Sequence, residues 1–134
     1  MSEEASYKQT LIQYRLEEAR EALRDAQMLY EQNGAPRSVV NRSYYAMFYA
    51  VLALLITIDK GTSKHRGVIS LFDQEFIKQN IFPKEMSAML HHAFDMRLTG
   101  DYRELLEISK EQATEILNSA TQFVKSIEEK LSKQ

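Results

Sequence analysis

The sequence predicts an all-α fold, an antiparallel up-and-down bundle of four to five helices. Glycine and proline number only four and two in 134 residues, too few to punctuate the many turns of an all-β chain. Apolar residues recur at spacings of three and four through most of the chain, the period of a helix with one buried face. The breaks in that pattern are short and polar, which suits neighbouring helices joined by short loops. A chain of this length makes one domain, here residues 1–134 with a core from about 8 to 130. It can bury roughly two-thirds of its unfolded surface without a metal or disulfide staple.

The first helix is expected from about Tyr7 to Gln32, with Ile12, Leu16, Ala19, Leu23, Ala26 and Tyr30 on one face. The segment "NGAPR" ends it: Asn33 and Gly34 suit the left-handed turn after a helix, and Pro36 blocks continuation. Ser38 is the expected N-cap of a second helix running to about Ile58. After the loop "DKGTS", Ser63 is the expected N-cap of a third helix to about Gln79, with His65, Val68, Ile69, Phe72 and Phe76 along one side. Pro83 opens a fourth helix to about Thr99, since a first turn tolerates proline, and Met86, Leu90, Ala93 and Phe94 form its buried stripe. A fifth is expected from about Tyr102 to Leu131. It carries Leu106, Ala113, Ile116, Leu117, Ala120, Val124, Ile127 and Leu131 in register.

The second helix contains "NRSYYAMFYAVLALLITI", Asn41 to Ile58, which is apolar nearly all round. Such a helix is buried by neighbours on every side. Its apolar run of about 15 residues falls short of the ~20 that cross a bilayer, and Arg42 at one end with Asp59 and Lys60 at the other bound it. No membrane association is expected. Tyr44, Tyr45 and Tyr49 fall within six residues, and tyrosine hydroxyls need partners when buried. One end of this helix should therefore be wet, at a pocket mouth or a dimer seam.

Seventeen basic and nineteen acidic residues give a net charge of −2. A protein that grips duplex nucleic acid by its general surface shows a basic excess, so DNA is not an expected partner and any nucleic-acid site must be local. The concentrated basic segment is "KGTSKHR", Lys60 to Arg66. The absence of cysteine excludes disulfides, thiolate zinc sites and cysteine nucleophiles, and suits a reducing compartment. The opening "MSEEASYKQT" lacks the basic and apolar regions of a secretory signal. A cytoplasmic location is expected.

Counting along the stripe of the fourth helix by threes and fours leads to Arg97 and then Asp101. Arginine on an inward stripe is expensive unless it pairs or meets an anion. The bland arrangement is an Arg97–Asp101 salt bridge at a helix end. The functional one is a guanidinium fork aimed at phosphate. His65 lies between Lys64 and Arg66, cations expected to hold its pKa down and favour a nearby anion. His91 and Asp95 are four apart on one face, a spacing that can hold a metal, but two ligands do not define a site. No metal or cofactor is expected.

Four segments, "NRSYYAMFYAVLALL", "SKHRGVISLF", "FPKE" and "AFDMRLTGDY", in this order and spacing, resemble the HEPN domain, and within it a group of short standalone bacterial and archaeal proteins. The resemblance covers about residues 8 to 130. It implies a helical bundle, usually a homodimer, that partners a small nucleotidyltransferase in a toxin–antitoxin-like pair. Many HEPN proteins are metal-independent ribonucleases that use an arginine followed, after four to six residues, by a histidine. The arginine falls on Arg97, but "RLTGDYR" offers Asp101 and Tyr102 where the histidine would lie. The acid/base group is missing, so the resemblance leans away from an enzyme. In related pairs a tyrosine near this motif receives nucleotides from the partner, which singles out Tyr102.

Three functions are compatible with these residues. A HEPN homodimer could hold a nucleotide or single-stranded RNA at a site drawn from Arg42, Tyr45, His65, Arg66, Arg97, Asp101 and Tyr102. A ribonuclease could use Arg97 with His65 or Tyr102 as a non-standard proton carrier. A ligand-free helical interaction protein would pair Arg97 with Asp101 and pack its tyrosines in an interface.

Overall fold

The computed structural model describes residues 2–101 and 107–133, with the side chain of Asp101 left out. Helix α1 (Glu3–Glu31) starts earlier than its apolar stripe requires, because Ser2 caps it. The Ser2 Oγ accepts the Ala5 N–H at 3.1 Å, and Glu3 and Glu4 sit at the positive end of the helix dipole. Ile12, Leu16, Ala19, Ala22 and Ala26 are its buried residues; Leu23 and Tyr30 are half-buried against the core. Asn33 takes the left-handed turn at φ 58°. Gly34 is needed for space instead, since a Cβ there would lie 3.0 Å from the Leu29 carbonyl oxygen.

Helix α2 (Pro36–Thr57) follows at once, with Pro36 in its first turn and Ala35 before it. Ser38 is therefore inside the helix and not its cap: proline's fixed φ starts the helix ahead of the serine, and the Ser38 N–H already bonds to the Ala35 carbonyl at 2.9 Å. Helix α2 packs against α1 and against the three later helices. Among the described residues it is the one helix long and apolar enough to cross a membrane, yet 67% of its most apolar window is buried inside the bundle. It is the central core helix.

Helix α3 (His65–Phe72) begins after Lys64, without a side-chain cap from Ser63. It does not continue as α-helix to Gln79. Residues Asp73–Ile77 form a π-helical turn, in which the Lys78 N–H reaches the Asp73 carbonyl at 2.8 Å. Two interactions compete here with a continued α-helix. Phe76 and Phe82 pack at 6.1 Å from Phe72, and the Asp73 carboxylate accepts Ser87 Oγ–H and His91 Nε2–H at 2.6 Å each. The second interaction tethers the turn to helix α4 (Lys84–Asp101), which opens just after Pro83. Met86, Leu90, Ala93, Phe94 and Met96 of α4 are buried.

Helix α5 (Lys110–Ser132) starts later than the apolar register suggests. Residues 107–109 are not helical, and Ser109 with Gln112 forms a reciprocal capping box that defines the first turn. Tyr102 and Leu106 lie outside the described residues. The buried face of α5 is Ala113, Ile116, Leu117, Ala120, Phe123, Val124 and Ile127, and Leu131 is half-buried. An Arg20–Glu128 pair at 2.8 Å joins α1 to α5. Among the described residues the fold is all-α, as expected.

Candidate functional site

The first half of α2, the start of α3 and the last turns of α4 meet around Tyr44. The Tyr44 side chain is fully buried, and its hydroxyl lies 2.7 Å from His65 Nδ1. The imidazole stacks on Phe48, with centroids 4.3 Å apart and planes 12° from parallel, and meets Tyr45 edge-on at 5.7 Å. Burial first, opposed by the Arg97 charge, pushes the Tyr44 phenol well above its ordinary value. Burial first, and then the Arg97 charge, lowers His65 below its ordinary 6.5. Both groups are thereby held neutral, so the phenol keeps its proton; with the imidazole proton on Nε2, Tyr44 O–H donates to Nδ1. The direction of the His65 shift follows the sequence expectation, but its causes do not: Lys64 and Arg66 are not among them.

Arg97 is half-buried, and its guanidinium carbon lies 5.4 Å from the ring centres of both Tyr44 and Tyr45. The arginine on the inward stripe thus meets tyrosine faces, where a cation is favoured by the ring quadrupole. Arg42 places its guanidinium 5.2 Å from the Tyr45 ring and donates Nε–H to Asn41 Oδ1 at 3.2 Å. Two guanidiniums therefore share one tyrosine ring.

Both of these arginines line a groove of about 610 Å³ between α2 and α4. Arg37, Ser38, Asn41 and Arg42 come from α2, Arg97 and Gly100 from α4, and Leu29 from α1. No carboxylate is found among these described lining residues. Arg42 also borders a smaller groove with Glu18, Glu21, Asp25 and Tyr49, so its positive charge faces acidic residues on its other side. Burial first, then Glu18, raises the Tyr49 phenol there.

The fold thus brings Arg42, Tyr45, His65 and Arg97 together, four of the seven residues singled out from the sequence. Arg66 is exposed and joins only indirectly: its guanidinium lies 5.1 Å from the Phe94 ring, which packs 5.6 Å from Tyr44. The Asp101 side chain and Tyr102 lie outside the described residues. His91 turns to Asp73, and no group of three metal-ligating side chains occurs among the described residues. Sequence reasoning missed Arg37, which shares an α2 face with Asn41 one turn later; an exposed arginine in a first helical turn gave no signal to find it by. It expected the tyrosine hydroxyls to need partners but did not name the one that Tyr44 finds, His65.

A HEPN domain model matches residues 12–130. The chain is 40% identical over 121 residues to a UPF0332 protein of Thermotoga maritima, covering 90% of this chain and 91% of that one. It is 36% identical over 121 residues to a Methanocaldococcus jannaschii protein whose name reads "Putative toxin", covering 90% and 81% of the two. A UPF0332 protein of Archaeoglobus fulgidus is 30% identical over 122 residues, covering 91% and 96%. The matched span takes in α2, α3, α4 and the arginine-lined groove, and the chain belongs to the HEPN domain family.

Proposed function

We propose that this protein is a HEPN module that binds nucleotide or single-stranded RNA through phosphate and acts with a small nucleotidyltransferase in a toxin–antitoxin-like pair. The observation that carries this is the groove with Arg37, Arg42 and Arg97 together in its lining. Guanidinium forks suit phosphate oxygens, and stacking on Tyr44 and Tyr45 holds Arg97 in place for them. The toxin naming of two relatives supports the biological half of the proposal, as does the family's habit of pairing. A homodimer in the cytoplasm is the state in which we expect it to work.

Titration of ATP and of a short single-stranded RNA into wild type and Arg97→Ala tests the site. Arg97→Ala should weaken both ligands by about tenfold or more, the loss of one charge-assisted contact. Equal binding by the two proteins removes Arg97 from the site and leaves a ligand-free interaction module.

One observation favours a second reading, RNA cleavage. His65 sits against Tyr44 beside Arg97, although nothing in "RLTGDYR" supplies the histidine of the usual motif. This reading requires cleavage in EDTA that both Arg97→Ala and His65→Gln abolish. Intact RNA after incubation with concentrated pure protein removes it.

A further inference from the structure

We infer that the groove between α2 and α4 takes a polyphosphate chain, two or more linked phosphoryl groups, with Arg37 forming a second anion subsite apart from Arg97. The inference rests on the phosphate-binding reading above and narrows its ligand.

Three observations carry it. The first is the spread of charge along one concavity. Arg37 and Arg42 are five residues apart on α2, about 7.5 Å along the helix axis at ~1.5 Å per residue, while Arg97 enters from α4. A guanidinium donates within about 3 Å, so forks rooted this far apart are reached together by a row of phosphoryl groups more readily than by one. The second is the close approach that puts α4 against the start of α2. A Cβ on Gly100 would lie 3.4 Å from Arg37 Cβ and 3.1 Å from Ile108 Cδ1. The absent side chain therefore lets the turn after Arg97 rest on Arg37, and both arginines reach the same groove.

The third observation is size. A volume of about 610 Å³ falls within the roughly 300–1,000 Å³ of small-molecule clefts, which favours a compact polyanion over an extended strand. Ser38 and Asn41, also in the lining, add hydroxyl and amide donors next to the arginines. The start of α2 lies at the same end, and its positive dipole adds to the field of the three cations. Phosphoryl chains carry more charge than a phosphodiester of equal length, so they gain most from that field.

Calorimetric titration of the full chain with inorganic triphosphate, ATP, AMP and a 5′-hydroxyl single-stranded RNA tests this, using wild type, Arg37→Gln and Arg97→Gln. Triphosphate and ATP should bind at least about tenfold more tightly than AMP. Arg37→Gln should erase most of that preference while leaving AMP affinity near the wild-type value, and Arg97→Gln should weaken every ligand. AMP bound as tightly as ATP overturns the inference, and so does an Arg37→Gln protein that loses ATP and AMP equally. If the RNA binds through Arg97 while triphosphate does not bind, the inference falls and phosphate recognition stands. If folded wild type binds none of the four, both fall.

Discussion

Two aromatic clusters lie in this bundle, and they use the same ring spacings for different ends. Around Phe72, the rings of Phe76, Phe82 and Phe123 sit 5.4–6.1 Å away. All four side chains are buried, and no charged group is stacked on them among the described residues. Around Tyr44, the rings of Tyr45, Phe48 and Phe94 sit 5.2–5.9 Å away. There Arg42, Arg66 and Arg97 lie on the ring faces. The first cluster gains from apolar burial alone. The second gives up part of that gain to hold a neutral histidine and cations, of which Arg42 and Arg97 line a groove. Position along the bundle separates them: the Phe72 cluster is sealed by α5, whereas the Tyr44 cluster borders an open groove.

The sharpest test of this contrast is Phe72→Ala. Removing a fully buried ring from the sealed cluster should cost about 3–5 kcal/mol, read as a lower urea midpoint. A loss below about 1 kcal/mol would mean that the cluster is not packed as described. Tyr44→Phe keeps the ring and removes the hydroxyl that holds His65 Nδ1. It should cost about 1–2 kcal/mol through the lost hydrogen bond and leave the Phe72 cluster untouched. Unchanged stability would show that the bond contributes nothing.

The smallest effect is an acid sensitivity confined to the polar cluster. The folded-state pKa of His65 lies below its ordinary 6.5, through burial and then Arg97. Its contribution to stability is therefore fully present above 6.5 and is lost as pH falls through the folded value. In unfolding curves taken across that range, the stability gap between wild type and His65→Phe should shrink on acidification. A gap that stays constant with pH would place the His65 titration at its ordinary value. The linked sign for ligands is opposite: a bound phosphate favours the imidazolium, so binding should tighten as pH falls through the same range.

The helices were legible in the sequence because a repeated three-and-four spacing is a local property. The buried stripes of α1 and α5 stand where Ile12, Leu16, Ala113 and Ile116 place them. The ends were less legible, because caps compete. Pro36 outranked Ser38, and the Ser109 capping box set the start of α5. The π turn at Asp73 was invisible for a different reason: its tether runs to Ser87 and His91, residues of another helix. Arg97 was legible as an oddity on an apolar stripe, whereas Arg37 was not, since an exposed arginine in a first helical turn carries no local anomaly.

The amino-acid sequence by itself determined an all-α bundle with α2 at its centre, membership of a recognisable family, and an arginine that needed company. The bundle and the arginine follow from period, composition and the cost of burying charge, each readable within a turn or two of helix; the family follows from the resemblance of four sequence segments. Only the tertiary structure decided what the company is. It set Arg97 over Tyr44 and Tyr45, His65 between Phe48 and the Tyr44 hydroxyl, and Arg37 on the same groove as Arg97. Contacts between separate helices depend on how closely their surfaces approach, as at Gly100, and no spacing within a single helix encodes that distance.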